Sequence, residues 1–283
     1  MAAGVAGLFV MQAAAATPFQ FSTGVPDGLM ATLSRTASPG KLETETADDF
    51  IATAAQTTIS SATFTGLLVG GATPQNIHDV EIELYRVFPA NSTNPPDGQV
   101  PTRVNSPSDN SFAAADGALA QLSFTTTVLN RSFTALNSVA NGIHPLPNQF
   151  TGGEGAVTGV EVQFNVTFTA PFTLGAGHYF FRPEVDLGGS GDFFWLSAPK
   201  PIVAPGTPFT PDLQSWIRND GPGALGPDWL RIGTDITQQG PFNASFSLTG
   251  QTADTTVPEP GTLALVGVGL AGLVLARRRR RPG

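Results

Sequence analysis

Cysteine is absent from the 283 residues. That excludes a disulfide framework, a thiolate nucleophile and any zinc centre built on sulfur. Stability must come from packing, which suits one fairly large domain better than several very small ones. Charge is scarce as well. Asp, Glu, Lys and Arg make up 13% of the chain, against roughly 25% in ordinary soluble domains. A helical cytosolic enzyme, with charged residues across its helix surfaces, does not fit. Histidine occurs three times, as His78, His144 and His178. None sits in H-x-H, H-x-x-x-H or H-E-x-x-H spacing, so no metal centre is indicated by them.

What the chain has instead is 32 Gly, 24 Pro and 20 Phe, beside two Tyr and three Trp. The Phe content supplies enough apolar area for a real core, so disorder is not the reading despite the Gly and Pro. The formal net charge is −8, yet five of the fourteen basic residues are Arg277, Arg278, Arg279, Arg280 and Arg281. The body is therefore strongly acidic, and nucleic acid would be repelled by it.

Both ends read as addresses. Residues 1–16 form an uncharged Ala-rich run closed by Ala14-Ala15-Ala16 before Thr17-Pro18. Small residues at that boundary are what signal peptidase accepts, and the run reads as a secretory signal, although no Lys or Arg precedes it. At the other end, Val257, Pro258, Glu259, Pro260 and Gly261 lead into an apolar stretch over residues 262–276, followed by the five Arg. Fifteen helical residues span about 22 Å, short of the roughly 30 Å hydrocarbon core. Eight of the fifteen are Leu or Val, which favours insertion, and snorkelling Arg side chains with local thinning make up the shortfall. The expectation is a single C-terminal transmembrane helix whose Arg cluster stays cytoplasmic. Gly267, Gly269 and Gly272 fit G-x-G-x-x-G, but no strand precedes them and no acidic residue follows. They read as a close-packing helix face, not a dinucleotide fingerprint.

The order of these parts resembles the PEP-CTERM sorting signal. Pro258, Glu259 and Pro260 match the motif that names the family, residues 262–276 its helix and Arg277 to Arg281 its basic end. The resemblance covers residues 257–283 only. It implies recognition and cleavage by an exosortase, a membrane transpeptidase-like enzyme of exopolysaccharide-producing Gram-negative bacteria. The implied course is export, anchoring in the inner membrane facing the periplasm, then transfer to the cell surface or extracellular matrix.

Between the addresses, residues 17–256 alternate with period two. Val160-Glu161-Val162-Gln163-Phe164-Asn165-Val166-Thr167-Phe168 is strict over nine residues, and Val80–Leu84 and Ala244–Leu248 repeat the pattern. Such alternation predicts antiparallel strands with one buried face. The fold class expected is all-β, an antiparallel β-sandwich of jelly-roll type in one domain. Residues 178–187 and 192–197, joined by Gly188-Gly189-Ser190-Gly191, read as a hairpin. The Pro-rich segments 89–110 and 199–227 read as long loops. Ala47-Asp48-Asp49-Phe50 and Ala244–Gly250 resemble short stretches in body domains of the same exported class.

Candidate chemistry is thin. Gly188-Gly189-Ser190-Gly191-Asp192 fails the G-x-S-x-G pattern of a nucleophile elbow at its last position. Glu184 and Asp186, two apart on a predicted strand, share a face at a spacing a retaining glycosidase could use, but solvent-facing carboxylates are the preferred reading. Asp48 and Asp49 are candidate oxygen ligands for a structural calcium, although no EF-hand loop is present. Trp195 reads as core. Trp216 and Trp229 lie among turn residues; burial is the preferred reading for them too, but if exposed they would stack on sugar rings. The residues favour a non-enzymatic surface or matrix protein whose partners are the exosortase, the membrane and extracellular polysaccharide. The alternative is a carbohydrate-binding module using those two tryptophans.

Overall fold

The computed structural model describes residues 16–90, 104–143, 150–220 and 229–253. Residues 1–15 of the candidate signal and the whole C-terminal address, 257–283, lie outside them, as does His144. Among the described residues, fifteen strands form two sheets. In the first, β1 (Thr17–Ser22) pairs with β15 (Phe246–Ala253), and β15 pairs with the long β4 (Gln56–Val69). On its other edge β4 pairs with β9 (Val157–Leu174), which in turn pairs with β7 (Leu122–Ala135). Beyond Phe64, β4 exchanges β15 for β11 (Asp192–Ala198). The sheet continues from β11 through β2 (Met30–Leu33) to β8 (Asn137–Val139), with β14 (Asn243–Ala244) also on β11. The second sheet has six strands. They are β13 (Leu230–Arg231), β12 (Trp216–Asp220), β3 (Glu43–Ala52), β10 (Gly177–Asp186), β5 (Asp79–Arg86) and β6 (Ala113–Asp116), in that spatial order.

The alternation that marks the strands also builds the core. Phe64, Val162, Phe164, Val166, Phe193 and Phe246 point inward from the first sheet, and Phe50, Val80, Ile82, Leu84, Phe181 and Val185 from the second. Phe181 stacks on Phe246 at 5.0 Å between ring centroids with 7° between planes, and meets Trp195 edge-on at 6.0 Å. Phe64 stacks on Phe164 at 4.6 Å within the first sheet. The two sheets therefore pack face to face, as alternation predicts. The sandwich departs from a simple eight-stranded jelly roll: β4 serves two partners along one edge, and β2 pairs with β8 in parallel.

Two sequence readings are corrected. Strands β10 and β11 are not a hairpin: β10 lies in the six-stranded sheet between β3 and β5, while β11 lies in the nine-stranded sheet between β4 and β2. Gly188–Gly191 is thus a corner between layers. Local sequence reports the turn, but inward residues on both flanking strands decide that each joins a different sheet. Likewise, the predicted loop 199–227 contains β12, held by five register pairs to β3.

The corner supplies a test. Gly191 has φ +118°, and a Cβ there would lie 2.2 Å from the Val69 carbonyl oxygen, whereas a Cβ on Gly189 (φ +81°) would meet nothing within 4 Å. Gly191→Ala is expected to cost about 2–4 kcal/mol from strain and clash together. Gly189→Ala is expected to cost about 1–2 kcal/mol. Urea unfolding of both variants checks the difference; equal losses would mean that the corner does not press on β4.

Candidate functional site

Period-two alternation also gives the six-stranded sheet an outer face, and its content is ionic. Glu43 and Glu45 come from β3, Glu83 and Tyr85 from β5, Arg182 and Glu184 from β10, and Arg218 from β12. Register sets Arg218 directly across from Glu45 and Arg182 directly across from Glu83, the cross-strand arrangement that stabilises opposite charges.

Arg182 is the centre. Its Nη2 lies 2.9 Å from Glu45 Oε1 and 2.7 Å from Glu83 Oε2, and its Nη1 lies 2.6 Å from Glu184 Oε2. Arg218 donates through Nε to Glu45, through Nη1 to the Asp109 carbonyl at 2.9 Å and through Nη2 to Tyr85 Oη at 3.1 Å. Tyr85 donates to Glu83. Trp229 closes the layer: its ring lies 4.5 Å below the Arg218 guanidinium and edge-on to Tyr85, and its Nε1 donates to the Ser108 carbonyl.

Burial and charge push neighbouring carboxylates in opposite directions. Burial alone would raise Glu45, but the adjacent Arg182 and Arg218 outweigh it and hold its carboxyl below the ordinary range. Glu184 has one guanidinium against burial and the like charges of Glu45, Glu43 and Glu81, so it is pushed well above that range. Two carboxyl groups with separated pKa values are a pattern used in acid–base catalysis. Here, however, Glu184 is 0% exposed and Glu45 3%, and no substrate can reach either one. Glu184 is therefore buried and paired with Arg182, not solvent-facing beside Asp186 as the sequence suggested. One carboxylate oxygen each from Glu43, Glu45 and Glu184 converge within 4.8 Å. The guanidinium of Arg182 already stands against all three residues and fills the role a metal ion would take.

The sequence candidates fall as follows. Trp216 and Trp229 are 1% and 0% exposed, which overturns the glycan-stacking role proposed for them: neither ring face is free. Trp195 is core, donating to the Ser245 carbonyl at 2.9 Å. Asp48 and Asp49 are adjacent on a strand and so point to opposite faces. Asp48 accepts from Ser215 Oγ and the Ala244 amide, and Asp49 from the Leu213 amide while lying 2.6 Å from His178 Nε2. Donors fill both oxygens of Asp48 and Oδ2 of Asp49, while Asp49 Oδ1 is buried without a hydrogen-bond partner. Pointing to opposite faces, the two carboxylates do not share one ion, so the calcium pair is withdrawn; they fasten segments 213–215 and 244 to β3. Two grooves, of about 620 and 670 Å³, flank Lys200 and residues 239–241. None of the ionic-layer residues lines them. The residues Val257, Pro258, Glu259, Pro260 and Arg277 to Arg281 lie outside the described residues.

The ionic layer escaped sequence reading. Glu43 and Glu45, Glu81 and Glu83, and Arg182 and Glu184 each alternate, which places each pair on one face. Only the register between strands 40 to 170 residues apart in sequence reveals which acid meets which base.

Comparison with protein families supplies the remaining observation. The model of the PEP-CTERM protein-sorting motif matches residues 256–281. The chain thus carries a PEP-CTERM segment, the signature of an exported protein sorted by an exosortase. No curated protein matches the chain in sequence. Among the described residues no helix is long and apolar enough to cross a membrane; the apolar stretch 262–276 lies outside them.

The layer makes a pH prediction. Glu184 has a raised pKa in the fold, so the stability tied to its protonated form is complete below the unfolded value near 4.5 and is lost as pH rises through the folded value. Glu184→Gln removes that loss, and the variant should gain stability relative to wild type as pH rises above 4.5. Glu45 has the opposite sign: its contribution is present above the same unfolded value and fades as pH falls through its lower folded one. Glu45→Gln should cost about 3–5 kcal/mol at pH 7, as breaking a buried pair does. Denaturant unfolding across pH checks both, and identical pH profiles for Glu184→Gln and wild type would refute the assignment.

Proposed function

We propose that this protein is a non-enzymatic β-sandwich body displayed at the cell surface or in the extracellular matrix, delivered there by exosortase sorting of its C-terminal segment. The match of the sorting motif over residues 256–281 carries this reading. In it, residues 1–16 direct export, residues 262–276 hold the precursor in the inner membrane, and Arg277 to Arg281 keep its end cytoplasmic. The exosortase recognises Pro258, Glu259 and Pro260 and cuts near them, and the body leaves the membrane for the surface.

Two features support a role without catalysis. Of the two carboxylates pushed well above their ordinary range, Glu184 is buried against Arg182 and Asp48 is buried against Ser215 and the Ala244 amide, and His178 is fastened to the structural Asp49. The chain ends support the sorting geometry: Thr17 pairs with Thr252 across β1 and β15, so both addresses join the body at one end of the sandwich. Cleavage at either address leaves the paired strands intact.

Intact mass and fractionation in the native host test the proposal, with wild type beside Pro258→Ala and Glu259→Ala. Wild type should lose its C-terminal apolar segment and appear at the surface or in the matrix, and the double variant should remain full length in the membrane. If both stay full length in the inner membrane, the segment is an ordinary tail anchor and the sorting role falls.

A further inference from the structure

The outer face of the nine-stranded sheet differs from that of its partner: across five strands it carries hydroxyls and amides in register, without charge. One row runs Thr125, Asn165, Thr63, Ser247, Ser22 across β7, β9, β4, β15 and β1. The next runs Ser123, Thr167, Ser61, Thr249, Gln20 across the same strands. All ten are half-buried or exposed. Neighbours within a row are about 4.8 Å apart and the two rows roughly 6.8 Å apart, by strand geometry. Hydroxyls in the middle of the rows hold one another: Thr63 Oγ1 lies 2.6 Å from Ser247 Oγ, and Ser61 Oγ lies 2.5 Å from Thr249 Oγ1. These bonds fix the side chains before anything binds, which lowers the ordering cost of association. The register shifts of β4 with β9 and β15, near Ile59 and Thr249/Gly250, bound the array on one side, and the nearly buried Glu161 of β9 on the other.

We infer that this face docks neutral polysaccharide, with sugar hydroxyls laid against the two rows. Each Ser, Thr, Asn and Gln both donates and accepts, as does each sugar hydroxyl. The chemistry is matched in kind, and a partner without charge is the one that an uncharged face neither repels nor leaves with unpaired ions. The acidic body rejects polyanions, and the rows hold no charge to pair with a polycation, so a neutral polymer is the one they match. A second copy is a poorer occupant. The rows lack the apolar centre that stable dimers use. Extended strands give a flat, rigid platform, which suits a polymer chain better than a small sugar held in a pocket. This inference rests on the reading that the body is displayed outside the cell, where such polymers lie.

The test uses the full chain purified in a sugar-free polyoxyethylene detergent, so its outcome does not depend on whether the tail is cut. Depletion onto swollen amorphous cellulose and retardation in gels containing dextran probe neutral glucans, and alginate serves as the polyanion. Wild type should bind at least one neutral glucan and not alginate. Thr125→Lys and Thr249→Lys, at exposed positions on two strands of the array, should each weaken binding tenfold or more with unchanged melting. Ser132→Lys, on β7 outside the array, should bind as wild type. The inference is overturned if neither glucan binds, if alginate binds equally, or if the array variants bind as wild type. Sedimentation showing a wild-type dimer that these substitutions dissociate would assign the face to self-association instead.

Discussion

Phe181 stands where the two sheets meet, stacked flat on Phe246 and edge-on to Trp195. In a chain without cysteine, packing of this kind has to hold the layers together, and aromatic pairs in close contact contribute about 0.5–1.5 kcal/mol beyond the area they bury. Every inward position that the seam occupies dictates an outward neighbour, because a strand alternates. Arg182 is outward because Phe181 is inward; Ser247 is outward because Phe246 is inward. The chemistry of both outer faces is thus a consequence of the seam, and a register slip of one residue would exchange core for surface along the whole strand.

That constraint separates the charges. Glu43, Glu45, Glu81, Glu83, Arg182, Glu184 and Arg218 lie on the outer face of the six-stranded sheet, where guanidinium groups and a tryptophan lid enclose several of them. A buried ion cluster is a weak source of net stability, and in this one Arg182 Nε and both Glu184 oxygens make no well-directed hydrogen bond. Here it ties β12 to β3 through Arg218 and Glu45, and β10 to β5 through Arg182 and Glu83. Strand β12, next to the edge strand β13, is held by register pairing with β3, by this layer and by Ile217 in a second apolar cluster. The opposite sheet needs no such device, because its long strands pair over many residues.

Much of the architecture was legible in the chain. The nine-residue alternation from Val160 to Phe168 became β9, with its Val and Phe inward as predicted. Trp195 read correctly as core. The Gly188–Gly191 turn was visible, but its partner sheets were not: a hairpin and an interlayer corner look alike in local sequence and differ only in where distant strands lie. Trp216 and Trp229 are buried, as tryptophans mostly are; only their glycan-stacking alternative fails, because the prolines that suggest a surface loop belong to irregular segments covering an outer face. Asp48 and Asp49 looked like a pair of ligands, yet adjacency on a strand is the one spacing that divides them between faces. Cross-strand matches such as Thr63 with Ser247, 184 residues apart, leave no mark in either segment alone.

The position of the chain ends connects the fold to the tail. β15 ends at Ala253, beside Gln56 at the start of β4 and close to Thr17 in β1. From that end β4 runs fourteen residues to Val69, about 45 Å at strand rise, and reaches the Gly188–Gly191 corner. The sorting segment follows the strand that lies between β1 and β4, so force or processing at the tail acts on a strand paired along both edges. Neither outer face is at the end that carries the tail. Both run lengthwise along the body, one enclosed by its own ions and the other open with its hydroxyls in rows, and a body held by that end presents its long uncharged side laterally to whatever surrounds it.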